Sequence, residues 1–162
     1  MAFDRTLIEK YATGVEHLEQ AIRGLTRDDL MTPVKESNAG KWTIQQVIIH
    51  VADSDQVLAD RMKAIIAEDN PTLINVDETK WAQKLHYHDQ SIEDAIQIMK
   101  LTRRQMSVVL RQLSDEAFER VGTHSVRGKI TLATFVKAAA DHLEHHLKFV
   151  HAKRAAMGKE MW

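Results

Sequence analysis

The chain has 162 residues, 44% of them hydrophobic and 28% charged, which is enough for one domain with a substantial core and too little for two ordinary ones. Its formal net charge is −1, with both signs mixed along the sequence, so bulk electrostatics recruits neither nucleic acid nor an anionic membrane. There is no cysteine, hence no disulfide framework and no thiolate ligand. The Met1-Ala2-Phe3-Asp4 start lacks the regions of a signal peptide, and no apolar run approaches the roughly 20 residues of a membrane span, so the expected location is the cytoplasm.

Two prolines and six glycines leave long stretches open to helix, and β-branched alternation of period two is nearly absent, so the fold class is all-α. The first helix is predicted from about Asp4 to Arg23, with Leu7, Ile8, Tyr11, Val15, Leu18 and Ile22 on one face and Gly24 as its stop. A second opens at Thr43-Ile44-Gln45-Gln46, a capping-box pattern, and ends before Asn70-Pro71. A third runs from near Ser91 to about Leu113, and a fourth from near Thr131 past Val150 toward Gly158. Four such helices in a single domain spanning residues 1–162 imply a four-helix bundle. The segment from Asn70 to Gln90 is longer than a packed bundle needs and carries Trp81 and His86-Tyr87-His88, which suits a lid or a subunit interface.

Laid over each other with an offset of 88, the two halves agree without a gap. Leu25-Thr-Arg-Asp-Asp-Leu30 falls on Leu113-Ser-Asp-Glu-Ala-Phe118, and Gly40-Lys-Trp-Thr43 falls on Gly128-Lys-Ile-Thr131. The expectation is two similar helical hairpins related by pseudo-symmetry. His50 then corresponds to Ala138, one turn before His142.

Facial analysis at 100° per residue picks out the polar residues that interrupt the buried stripes. On the fourth helix Leu132, Phe135, Val136, Ala139, Leu143, Leu147 and Val150 share one face; His146 lies inside it and His142 on its margin, while His145 falls toward the polar side. Two histidines four apart stand one above the other on a helix, and a third from a neighbouring helix closes a three-histidine metal site. His50 is that third residue. It interrupts the buried stripe of the second helix together with Ser54 and Arg61, each of which needs a partner once it leaves water. A metal ion satisfies His50; a bound anion or a carboxylate satisfies Arg61, which is therefore the candidate for holding a substrate carboxylate or phosphate. His17, His86, His88, His124 and His151 are assigned to surface or loop positions. Asp53 and Asp141 are candidates to orient an imidazole, or else are solvated carboxylates on the helix surface. His124 and Asp53 are the two suspects for a fourth protein ligand, which would close the site and make the ion structural.

The run Lys41-Trp-Thr-Ile-Gln-Gln-Val-Ile-Ile-His50-Val-Ala-Asp-Ser54, then Glu68-Asp-Asn-Pro-Thr72, Trp81 and Asp141-His-Leu-Glu-His-His146, resembles the DinB superfamily and within it the YfiT group of metal-dependent hydrolases. The resemblance covers nearly the whole chain. It implies a four-helix bundle, often dimeric, in which three histidines matching His50, His142 and His146 hold a divalent ion, zinc or nickel. It also implies a small-molecule substrate and hydrolysis by activated water, or transfer of a low-molecular-weight thiol at the same ion. The chain departs from the group at Phe149, where a further histidine is common. A non-catalytic bundle with a structural metal stays open as the alternative.

Overall fold

The computed structural model describes residues 2–34 and 40–160. The four long helices are α1 (Thr6–Ile22), α3 (Ile44–Ala67), α5 (Ile92–Arg111) and α6 (Leu132–Ala156). Between them lie α2 (Arg27–Met31), a two-residue strand β1 (Thr72–Leu73), α4 (Glu78–Lys84), a 3-10 helix (Asp115–Glu119) and the hairpin β2 (Val121–His124) with β3 (Gly128–Thr131). Each of the last three long helices starts where a side chain satisfies its open backbone donors. Thr43 and Gln46 form a reciprocal box, Ser91 accepts from the Asp94 amide, and Thr131 accepts from the Thr134 amide.

Around the bundle α1 packs on α6, α6 on α3, α3 on α5, and α5 back on α1. The pairs α1 with α3 and α5 with α6 therefore lie on the diagonals. The offset of 88 appears in the local geometry. Gly40 and Gly128 both adopt a left-handed backbone (φ +70° and +73°) three residues ahead of a threonine N-cap, and Thr26 and Ser114 each stand before a short helix. The expected hairpins do not form, however. α1 and α3 face each other across the core instead of packing side by side, and so do α5 and α6, because each needs the other half of the chain to cover its flanks.

A small sheet accompanies the all-α bundle without changing its class. Its order is β1-β2-β3, with β1 parallel to β2 (Leu73 opposite His124) and β2 antiparallel to β3. Gly122 permits the close approach: a Cβ there would stand 2.7 Å from Leu73 Cδ1 and 3.0 Å from Ile65 Cγ1. The sheet covers one end of the core, with β2 turning Gly122 and His124 inward.

At the centre the core is not apolar. Arg103 and Asp55 are both fully buried and pair through two bonds, Nε to Oδ2 at 2.5 Å and Nη2 to Oδ1 at 2.8 Å. Nη1 donates to the Tyr11 carbonyl at 2.9 Å, Nη2 also reaches the Ala139 carbonyl at 3.4 Å, and the guanidinium sits 4.7 Å from the Tyr11 ring centre. One side chain thus bonds α1, α3 and α6 from its seat on α5. Removing one partner strands a buried charge: Arg103→Met should cost about 3–5 kcal/mol in urea denaturation, and pairing it with Asp55→Leu should recover much of that loss.

Candidate metal centre

His50 on α3 and His142 and His146 on α6 converge. One ligand-capable nitrogen from each lies within 4.8 Å of the other two, the span a single ion bridges. Ring centres are 5.2 Å apart for His50 and His142, 4.7 Å for His50 and His146, and 4.6 Å for His142 and His146. His50 is buried and the other two are half-buried. Trp42 stands edge-on to His50 at 4.9 Å, and Phe149 is tilted against His146 at 5.9 Å, so apolar rings back the cluster. Nε2 of His50 and Nδ1 of both His142 and His146 are buried with no hydrogen-bond partner. Three orphaned imidazole nitrogens in one spot are costly in an apo protein and natural in a site that takes a cation.

Electrostatics agree with that reading. Burial first, then the neighbouring histidines, with Arg103 also acting on His142, push His142 down to about 4 and His146 to about 3; burial also lowers His50, with Glu78 and Asp53 opposing it. All three are therefore neutral, and free to donate a lone pair, at physiological pH.

The cluster opens on a cavity of about 160 Å³, which His50 and His142 line at one end and Arg61, His124 and Arg127 line as well. The segment after α3 forms its outer wall. Glu78, the first residue of α4, places Oε2 4.0 Å from His50 Nε2, and half-buried Trp81 lies one turn further on. Tyr87 is buried, and its hydroxyl donates to Asp53 Oδ2 at 2.6 Å, tying the segment back to α3. Burial, then the Asp53 carboxylate, raises the Tyr87 phenol far above its ordinary value, so it stays protonated.

Several expectations change here. Asp141 does not orient His142; it pairs with Lys10 at 2.7 Å and with Lys137, and these bonds hold its carboxyl below the usual range. Asp53 accepts from Tyr87. His124 is not at the surface but buried, because the parallel pairing of β1 with β2 draws it inward, and its Nδ1 accepts from the amides of Val126 (3.2 Å) and Arg127 (3.3 Å). Among the described residues neither His124 nor Asp53 joins the histidine cluster, so no fourth protein ligand closes it. His17, His86, His88 and His151 are exposed as expected. Arg61 does line the cavity, held by a 2.5 Å bond from Nη2 to the Ile74 carbonyl. Glu78 and Arg127 were not singled out from the sequence, and Tyr87 only within the His86-Tyr87-His88 cluster. They sit in loops and on a short helix, where no periodicity marks a face.

The family model of the DinB superfamily matches residues 35–150. This chain belongs to that superfamily. The DinB bundle described above is similar to the solved structure described as "YfiT from Bacillus subtilis is a probable metal-dependent hydrolase with an unusual four-helix bundle topology", with a TM-score of 0.86, 25% identity, and coverage of 94% of this chain and 86% of that one. Two relatives, each carrying the name "Putative metal-dependent hydrolase", extend the likeness. One, from Oceanobacillus iheyensis, is 29% identical over 148 residues, covering 89% of this chain and 84% of its own. The other, YfiT of Bacillus subtilis, is 27% identical over 142 residues, covering 87% and 78%. Among the described residues no helix is long and apolar enough to cross a membrane.

The depressed histidines predict a pH dependence. Each is lowered in the folded chain relative to the unfolded one, so the stability of chelator-treated protein should be complete above about pH 6.5 and decline between about 6.5 and 4 as the unfolded state takes up protons first. Thermal melts from pH 7.5 to 4.5 measure this, and the double substitution His142→Asn and His146→Asn should flatten the slope.

Proposed function

We propose that this protein is a metal-dependent hydrolase acting on a small molecule, with His50, His142 and His146 as the ligands of one divalent ion, zinc or nickel. The observation that carries the reading is the convergence of three neutral, unpartnered imidazoles beside an open cavity, with no fourth protein ligand in the cluster among the described residues. The names borne by its relatives point the same way. Imidazole donors suit both ions.

A divalent ion held by three uncharged ligands supplies Lewis-acid activation of water, or of a small thiol, near neutral pH. The protein's own groups do the rest. Glu78 is exposed at the lip of the cavity and reaches toward His50, where its carboxylate can take a proton from the nucleophile and return it to the leaving group. Tyr87, held by Asp53, fixes the wall beside His50 and presents no second base. Val57, Leu58 and Trp81 supply the apolar surface that orients a substrate and limits water. Hydrolysis, rather than a structural ion, is favoured because the approach to the cluster is lined by these groups and not filled by a side chain.

Metal analysis of the purified protein should give about one zinc or nickel per chain, following the single three-imidazole site. Chelation should abolish turnover in a screen of small esters and amides, with thiol-conjugation substrates run in parallel, while leaving the helical circular dichroism intact. His142→Ala should lose both metal and turnover. Glu78→Gln should keep the metal and lower kcat by about 100-fold or more, the usual scale for a positioned general base. Turnover that survives complete metal removal would end the proposal.

A further inference from the structure

The groups lining the cavity are segregated by charge. At the histidine end stand the carboxylates Asp53 and Glu78, and these are the acids that His50 and Tyr87 feel. At the other end are two cations and a buried imidazole. Arg61 feels Arg127, and His124 feels Arg61 and then Arg127, so the three are close enough to repel a positive charge on one another. The one acid acting on Arg61 is Asp60, exposed on the outer side of α3, and neither arginine makes a salt bridge among the described residues. Like charges gathered at the end of a cavity without a counter-ion are unfavourable unless an anion joins them.

The polypeptide is built to hold them there. Arg61 is steered by its bond to the Ile74 carbonyl, immediately after β1. Ser125, next to His124, donates its amide to the Leu73 carbonyl at 2.9 Å and accepts from the Asn75 amide at 2.9 Å, which locks the β2–β3 turn carrying Arg127 onto the same segment. Because His124 Nδ1 accepts two backbone amides, its proton resides on Nε2, making the buried ring a neutral hydrogen-bond donor.

We propose that Arg61, Arg127 and His124 form an oxyanion-binding subsite that selects substrates bearing a carboxylate or phosphate at the end remote from the reacting group. Arginine forks match either group, and a neutral imidazole N–H adds a donor without further positive charge. The subsite also sets a length. Arg61 follows His50 by eleven residues on α3, about 16 Å of helical rise on nearly the same face. A bound molecule is therefore elongated, with its anionic terminus against the hairpin and its electrophilic centre at the histidines. This selectivity rests on the hydrolase reading above, whereas the anion site itself does not.

The test titrates glutarate and inorganic phosphate separately into the purified, metal-loaded protein by calorimetry. At least one should bind saturably, with affinity falling as salt rises, and the tighter of the two identifies the terminus as carboxylate or phosphate. Arg127→Gln should weaken it at least 10-fold while leaving metal content and melting temperature unchanged; Arg127 is exposed and its side chain bonds no other residue among the described ones, so a folding defect is not expected. His124→Phe, which removes the donor and keeps a ring, should weaken it less. His142→Ala, which removes a metal ligand, should leave anion binding in place. Failure of both anions to bind, unchanged affinity in Arg127→Gln, or loss of binding in His142→Ala alone would overturn the subsite, the last because the anion would then sit on the metal. Anion binding that persists in a protein without hydrolytic turnover would sink the hydrolase reading and leave the subsite standing.

Discussion

The bundle is organised around a single guanidinium. Arg103 holds Asp55 on α3 and the backbone carbonyls of Tyr11 on α1 and Ala139 on α6, all away from water. Apolar packing is non-directional and tolerates small slides of one helix along another, whereas a bidentate ion pair with two further carbonyl acceptors does not. Even the glycine at position 14 belongs to this arrangement, since a Cβ there would stand 2.9 Å from Arg103 Nη1. Burying these two charges fixes the register of the helices, and the three-histidine cluster depends on that register.

Asp55 lies five residues after His50 on α3, and Ala139 lies three residues before His142 on α6. By holding those two points, Arg103 sets the axial positions of the helices that bear the three imidazoles. Centring rings 4.6–5.2 Å apart demands alignment better than one residue's rise of about 1.5 Å, and the clamp is within about two turns of each of the three histidines. The outer wall is fixed separately, through Tyr87 on Asp53 and Arg61 on Ile74. Core and wall thus grip α3 from different sides, since Asp55 lies about 200° around the helix from Asp53.

The helices were legible because the apolar residues recur with helical spacing and because Thr43, Ser91 and Thr131 announce their starts. The histidine trio was legible for the same reason: His50 and His146 interrupt stripes that burial otherwise reserves for apolar side chains. What stayed hidden depends on contacts distant in sequence. Asp55 and Arg103 are 48 residues apart, and each alone reads as a polar helix residue. His124 is carried inward by a two-residue parallel strand that no local pattern reveals. Glu78 and Tyr87 belong to a segment whose length hinted at a role but whose path over the site is set by hydrogen bonds to α3. The repeat of 88 residues was read correctly in its turns and wrongly in its packing, since similar halves can as well interlock as stand side by side.

That interlocking governs when the molecule can assemble during synthesis. α1 and α3 emerge from the ribosome first, yet the flanks of both are covered by α5 and α6. Nascent chain ending before α5 lacks both long neighbours of α1 and of α3, and His50 is more than ninety residues ahead of His142 and His146. Docking of α1 and α3 therefore waits for α5 and α6, and the histidine cluster is complete only once α6 is in place.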